Sequence, residues 1–255
     1  MSDPGVTRAE SCVIACADVW REAGEVMVSP FGTIPALGAR LAKRTFSPDI
    51  VLTDGEAALM VGAPPIAARP AELVREAAMP YRTVFDVVWS GRRNMMMMAS
   101  QIDRTGNQNI SAIGPHAKPK VQLVGVRGAP GNSVNHPTSY WVPDHTVRTF
   151  VEQVDVVSGV GYARAAAAGA GATRFHQIPR VVSNLGVFDF ETPERTMRLR
   201  SHSSVWSAGC NGVAPVAAVS VAAVSVPVVS VPVVSSGVSS GPRGRAASPD
   251  RARHG

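Results

Sequence analysis

The segment NMMMMAS, residues 94–100, constrains the fold more than any other stretch of this chain. Consecutive side chains of an extended strand point to opposite faces, so four methionines in a row need apolar cover on both sides. A strand of that kind belongs inside a parallel or mixed sheet flanked by helices. The run could also suggest a copper or haem-ligand cluster. Alternation splits the thioethers between two faces, however, and core filling by a flexible, unbranched side chain is the better reading.

The neighbouring segments supply the rhythm such a sheet requires. Residues 7–22 read as a helix with Val6, Cys12, Val13, Cys16 and Val19 in mostly helical spacing. Thr7, with Glu10 three residues later, has the capping-box arrangement. EVMVSP follows as a strand ended by Pro30, a second helix spans roughly Pro35–Arg44, and IVLT is the next strand. YRTVFDVVWSG suits a helix with Val84, Phe85, Val88 and Trp89 inward, and VQLVGV, FVEQVDVVS and RVVSNLGVFDF supply more short strands. Alternation at Val187-Phe188-Asp189-Phe190 suits a half-buried antiparallel edge. Strand, helix, strand in this order predicts an α/β fold, an open mixed or parallel sheet with helices on both faces.

The 255 residues can bury one sizeable α/β core. That domain is expected over 1–200. Residues 201–255, rich in Val, Ala, Ser and Pro, read as a low-complexity, disordered tail. Pro227, Pro232 and the serines argue against a membrane span in it. The formal net charge is +6, but through residue 200 there are 21 Lys and Arg against 18 Asp and Glu. A globular part so nearly balanced excludes a basic nucleic-acid-binding face. Cys12 and Cys16, four apart, are too sparse for a disulfide framework or zinc site and read as buried thiols. The N-terminus has no apolar signal segment, and the expected compartment is the cytoplasm.

Three glycine- and amide-rich stretches carry the chemistry: QIDRTGNQNISAIG (101–114), GVRGAPGNSVNHPTSYW (125–141) and DVVSGVGYAR (155–164). Gly106, Gly128, Gly131, Gly159 and Gly161 permit positive φ and close approach of a ligand to the backbone. Asn107, Gln108, Asn109, Asn132 and Asn135 offer neutral donors and acceptors, and Arg127 could hold an anion or a developing oxyanion. Such amides can equally serve to satisfy their own loops, but three such loops together favour a site. His136 lies within the richest of them. SGVGYAR lacks the third glycine of a dinucleotide fingerprint, with Arg164 in its place, and no nucleophile elbow, phosphate loop or HExxH is present. A carboxylate pair, Asp54 and Glu56, flanks Gly55 at the end of the strand IVLT.

These loops, in this order, resemble the β subunit of the two-subunit acyl-CoA transferase family. FSPDIVLTDGE, QIDRTGNQNISAIG, GVRGAPGN and NLGVFDF fall where that family's elements do, over roughly residues 7–200. The nearest likeness, through TDGEA, GNQNISAIGP, GVRGAPGNSVNHPTSYWV, VDVVSGVGY and VSNLGVFDF, is to the actinobacterial branch that opens steroid rings as CoA thioesters. The resemblance implies an α/β/α sheet and an α subunit that completes the site in an αβ or (αβ)₂ assembly. It implies an acyl-CoA substrate and no cofactor besides the CoA carried by that substrate.

In true transferases of this kind a β-subunit glutamate attacks the thioester, and its position falls here on Thr53. Asp54 falls on the next residue and Glu56 three too late, so neither carboxylate is that nucleophile; a one-residue shift at a strand end reverses side-chain direction. The resemblance therefore points to hydrolysis, with a glutamate of the α subunit activating water. Arg127, Asn107 and Asn132 are the expected oxyanion or substrate contacts, and Gly128, Gly131, Asp54 and His136 the expected substrate-binding positions. An acyl-CoA:carboxylate transferase subunit and a non-catalytic structural subunit are the alternatives. Two departures stand out: Thr105 replaces an expected aromatic, and the sequence after about residue 200 leaves the family pattern, as an altered reading frame would produce.

Overall fold

The computed structural model describes residues 6–53 and 58–202. Asp54, Gly55, Glu56 and nearly all of the expected tail lie outside the described residues, as does the side chain of Val84. In chain order the elements are α1 (Arg8–Asp18), β1 (Met27–Pro30), α2 (Thr33–Thr45), β2 (Leu52–Thr53), β3 (Ala58–Met60), β4 (Arg75–Ala78) and α3 (Tyr81–Trp89). They continue with β5 (Arg93–Met98), β6 (Gln101–Asp103), β7 (Gln108–Asn109), β8 (Ala112–Ile113), β9 (Val121–Gln122), α4 (Ala129–Asn135) and β10 (Thr138–Val142). The last are β11 (Phe150–Val151), α5 (Tyr162–Ala168), α6 (Ala170–Thr173), β12 (Val181–Ser183), β13 (Gly186–Asp189) and β14 (Arg198–His202).

A six-stranded sheet in the order β1-β5-β10-β12-β13-β14 organises the chain. Its first four strands are parallel, and β13 and β14 add antiparallel to them. The methionine strand β5 lies between β1 and β10, and its side chains divide as alternation requires. Met96 packs with Cys12, Cys16, Trp20, Ala39 and Trp141 on the α1–α2 face. Met95 and Met97 pack with Ile102, Ala129, Tyr140 and Phe190 on the other. Each buried methionine contributes about 1.5–3 kcal/mol of apolar burial. The second face is covered less by long helices than expected: the short α4 lies there, and Ile102 comes from a small sheet, β11-β6-β7.

Helix α1 begins with the anticipated capping box, Thr7 Oγ1 accepting from Glu10 N while Glu10 Oε2 accepts from Thr7 N at 2.8 Å. It stops at Asp18, short of the expected end, and Val6 is half exposed. Cys12 and Cys16 are buried free thiols, and burial pushes the Cys16 thiol well above its ordinary pKa.

Several expected strands shrink. VQLVGV yields only Val121–Gln122, both exposed, because its partner among the described residues is the two-residue β8. FVEQVDVVS yields only Phe150–Val151; beyond it Asp155 and Ser158 turn their hydrogen bonds toward residues 101–114 instead of a ladder. The alternating segment around Val187 is not the sheet edge, since β14 pairs outside it and runs past residue 200 to His202. The expected inward face of α3 is also reversed in part: Phe85 and Trp89 are 48% and 62% exposed, with Tyr81 at 83%. Val88 does approach the body, close to Gly131 of α4.

Helices α1 and α2 cross in close contact at Gly38, where an added Cβ would stand 2.8 Å from Cys16 Cβ and 2.9 Å from Ala17 N. Helix propensity alone favours alanine there by about 1 kcal/mol. A backbone atom cannot rotate away, and overpacking of this kind costs about 1–3 kcal/mol. The Gly38→Ala variant is therefore expected to melt at a lower temperature than the parent chain. A rise in melting temperature by calorimetry would show that the crossing relaxes freely.

Candidate active site

The four parallel strands end at a common edge, and β2 joins them through the bridge Met27↔Val51. In open α/β sheets, ligands bind outside the carboxyl ends of the strands. Here that edge carries the half-buried Thr53, then Phe31 and Gly32 after β1 and Met98 at the end of β5. An added Cβ on Gly32 would lie 3.6 Å from Met98 Sδ and 3.8 Å from Trp141 Cδ1, so these groups form one wall. Phe31 and Met98 are 50% and 42% exposed, an apolar surface next to the strand end that holds Thr53. Beyond β10, His145 Nδ1 lies 2.9 Å from Ser183 Oγ, and its ring stacks on Phe150 at 4.0 Å. Burial lowers its pKa to about 4, so the ring is neutral at pH 7.

The three amide-rich stretches come together. Asp103 closes the first turn by accepting from Thr105 N and Asn107 N with Oδ1 and from Asn107 Nδ2 with Oδ2, the last at 2.8 Å. Asn107 Oδ1 accepts from Gly161 N at 2.8 Å, and Gln108 N and O pair with the Ser158–Gly159 backbone. Ser111 and Ser158 hydroxyls meet at 2.7 Å, while Val160 N donates to Ser133 Oγ of the remaining stretch at 2.9 Å. Glycine serves two different needs in this junction. Gly106 has φ +86, which L side chains rarely adopt. Gly161 has an ordinary φ of −91, but a Cβ would stand 2.5 Å from Asn107 N and Thr105 O.

The amides of these loops therefore face inward. Gln108 Nε2 donates to Met98 O, Asn109 Nδ2 to Gln101 Oε1 and Ala112 O, and Asn135 Nδ2 to Gly131 O. Asn107 is buried with both ends of its amide engaged in the chain, which makes it a brace between two loops rather than a free donor. Asn132, also buried, accepts on Oδ1 from Arg93 Nη1 at 3.4 Å, with His136 Nε2 at 3.1 Å. His136 is fully buried, and desolvation, aided by the charge of Arg93, lowers its pKa to about 4. Arg93 also donates to Ser29 Oγ, so both of its acceptors are neutral, and burial brings its pKa down to about 10.

Arg127 stands apart from this network. It is exposed, has φ +50, and makes no hydrogen bond or ion pair among the described residues. Gly128, exposed beside it, forms the N-cap of α4 and accepts from Asn132 N, while Gly131 lies inside that helix. The structure thus unites Asn132, Gly131 and His136 around α4, places Asn107 in the loop junction and leaves Arg127 free at the surface. Arg93, Met98 and His145 were not anticipated. Arg93 could have been noticed as a charge heading an apolar strand, and Met98 as the member of the methionine run nearest the strand's carboxyl end. Among the described residues no group of histidine, cysteine or carboxylate side chains could hold a metal ion.

Buried histidines give this site a pH signature. His136, His145 and His176 all have folded pKa values depressed below the ordinary 6.5 by burial. Groups of this kind stabilise the fold fully above pH 6.5, and the contribution is lost as pH falls toward about 4. The melting temperature is expected to fall steadily between pH 7 and pH 4.5, and less steeply in a His136→Gln variant. A flat profile in scanning fluorimetry over that window would contradict the assignment.

No protein-family model matches the chain. The cholesterol ring-cleaving hydrolase IpdB subunit of Rhodococcus jostii is 56% identical over 196 residues, 77% of this chain and 76% of that protein. The crystal structure of R. jostii IpdAB superposes with a TM-score of 0.74 at 55% identity, covering 78% of this chain and 79% of the other. Glutaconate coenzyme A-transferase from Acidaminococcus fermentans, 20% identical, shares the fold with a TM-score of 0.66 over 78% of this chain and 80% of its own. The mixed sheet, the welded loops after its strands and this likeness agree: the chain belongs to the IpdB family of cholesterol ring-cleaving hydrolase subunits, built on the coenzyme A-transferase fold.

Proposed function

We propose that this chain is the β subunit of a heteromeric hydrolase that opens a ring of a steroid-derived acyl-CoA. The observation that carries the reading is the 56% identity to the R. jostii hydrolase subunit across three quarters of both chains. In the proposed reaction a glutamate of the α subunit removes a proton from water. The resulting hydroxide adds to a ring ketone β to the thioester carbonyl. The C–C bond between the ketone carbon and the thioester's α-carbon then breaks, giving a carboxylate and a thioester enolate that takes up a proton. The enolate gains charge in the transition state, so donors placed on it accelerate the step. No carboxylate stands at Thr53, where a CoA-transferring relative would carry its nucleophile, which favours water over an acyl-enzyme route. The exposed apolar side chains of Phe31 and Met98 suit the carbon skeleton of a steroid fragment.

Arg127, with no partner among the described residues, is the candidate for the developing oxyanion or for the CoA moiety. The buried Asn132 and His136 are then positioning residues that hold α4, with Gly128 and Gly131, in the shape that presents Arg127. Asn107 braces the adjoining loops, and Asp54 orients a group of the α subunit. The assembly is an (αβ)₂ heterotetramer in the cytoplasm, needing no cofactor beyond the substrate's CoA. No helix among the described residues is long and apolar enough to cross a membrane.

The complex, given a ring-ketone acyl-CoA in ¹⁸O-water, should place label in a new carboxylate of a ring-opened CoA thioester. Transfer of CoA to an added acid with the ring intact would instead establish a transferase. Arg127→Ala should lower kcat/KM by about 10²-fold, the usual effect of removing an oxyanion donor. Its melting temperature should not change, because Arg127 bonds to nothing in the described chain. An unaltered kcat/KM would favour a purely structural subunit.

A further inference from the structure

Just beyond β10, the His145 ring is held from several sides. Its backbone N–H donates to Asn184 Oδ1 at 2.9 Å, and Nδ1 lies 2.9 Å from Ser183 Oγ. The ring stacks on Phe150 and leans against Phe188 at 5.6 Å. A side chain fixed in this way has little rotamer freedom left to lose when a ligand arrives.

Ser183 decides which ring nitrogen carries the proton. A serine hydroxyl has one proton to give and two lone pairs with which to receive. Both lone pairs are taken, by Leu185 N at 3.1 Å and Gly186 N at 3.0 Å. The oxygen therefore has no place for a third N–H. Its own proton goes to His145 Nδ1, which is nearer than the other acceptor, Gly186 O at 3.2 Å. A ring that burial keeps neutral at pH 7, and that is bare at Nδ1, carries its single proton on Nε2. Nε2 has no partner among the described residues and is not one of their buried unpaired atoms, so this N–H reaches the surface.

Pairing in the sheet places that donor. Ser183 ends β12 opposite Val142 of β10, and Met98 ends β5 opposite Trp141 of the same strand. Neighbouring strands are about 4.8 Å apart, so Ser183 and Met98 stand roughly 10 Å from one another along the carboxyl edge. By alternation Ser183 shares the face of Val181, and Met98 the face of Met96. A ligand that meets both the His145 ring and Met98 lies over the strand ends.

We propose that His145 is a further substrate-contacting residue, its Nε2–H donating to an uncharged carbonyl oxygen of the bound acyl-CoA; this rests on the hydrolase reading above. The assignment divides the work with Arg127. A guanidinium suits a developing negative charge, whereas a fixed neutral donor orients and polarises an oxygen that arrives uncharged. Two kinds of acceptor fit: the ring ketone that hydroxide attacks, and the amide carbonyls of the pantetheine arm.

The test measures binding by the complex with its α subunit rather than turnover. One probe is free coenzyme A, which has the amides alone. The other is a thioether analogue of the ring-ketone acyl-CoA, in which a methylene replaces the thioester carbonyl and no enolate can form. His145→Phe keeps the stack on Phe150 and leaves Ser183 its other acceptor, so its melting temperature should match the parent's. In isothermal titration it should bind the analogue about 5-fold or more weakly, the usual effect of losing one neutral hydrogen bond. His145→Gln, whose amide N–H can stand in for Nε2–H, should recover most of that loss. Weaker binding of the analogue alone identifies the ketone as the acceptor; weaker binding of coenzyme A as well identifies an amide. Unchanged binding of both probes by His145→Phe would overturn the proposal, as would an equal loss in His145→Gln or no binding of the analogue by the parent complex. Imidazole ¹⁵N NMR of the parent complex needs no variant: Nε2 should be protonated and its resonance should move when the analogue is added. A protonated Nδ1 in the free complex, or an unmoved Nε2, sinks the assignment. A complex that binds through His145 yet opens no ring leaves this contact standing and removes the hydrolase reading alone.

Discussion

Parallel pairing of β1, β5, β10 and β12 is the constraint from which the rest of the molecule follows. Parallel strands cannot be joined by tight turns, so each connection must return to the starting edge before the next strand begins. All the carboxyl ends then gather on one side, and the segments leaving them share that side. The central strand of such a sheet is covered twice, which is why β5 tolerates four methionines and little else. Met96 serves one core and Met95 with Met97 the other, so a polar substitution at any of them would be buried without a partner.

The loops that leave this sheet are held by their own side chains. Asp103 and Asn107 close one turn, Asn107 reaches Gly161 in the third stretch, and Ser133 of the second stretch reaches Val160. Buried amides need partners, and here the partners are backbone groups of neighbouring loops. The consequence is rigidity: a group presented by such a junction is fixed before a substrate arrives, which is what electrostatic stabilisation of a transition state requires. It also separates two jobs. Residues that look suited to substrate by type, such as Asn107 and Asn132, hold the shape, while the exposed Arg127 remains available.

Local signals in the sequence were legible where short-range physics decides the outcome. The capping box at Thr7 and Glu10, the alternation of Met95, Met96 and Met97, and the burial of Cys12 and Cys16 all follow from periodicity and hydrogen-bond inventory. Strand lengths were less legible, because VQLVGV and FVEQVDVVS have β-branched composition but no neighbour to pair with over their full extent. The orientation of α3 could not be read at all. Periodicity shows that Tyr81, Phe85 and Trp89 share a face, but not whether that face is covered from inside or by another chain. The same limit applies to the site: composition singled out the three loops, which the structure brings together, yet the direction of each amide depends on contacts far away in sequence, as between Asn107 and Gly161.

Thr53 shows how little must change for this scaffold to change its chemistry. It ends β2 at the edge shared with β1, half-buried and paired with Leu59 of β3. A carboxylate at that position would be held by the strand pairing and aimed by the pleat, so its reach is fixed and its neighbours in sequence point elsewhere. A threonine keeps the β-branched fit to the strand while removing the negative charge. In the reaction proposed above the attacking group is mobile, and water is the small nucleophile that a neutral strand end can accommodate. The apolar wall beside it would exclude all but the waters that a base holds in place. In the hydrolase proposed above, a base on the α subunit would meet that need, its carboxylate entering the edge when the two chains close together.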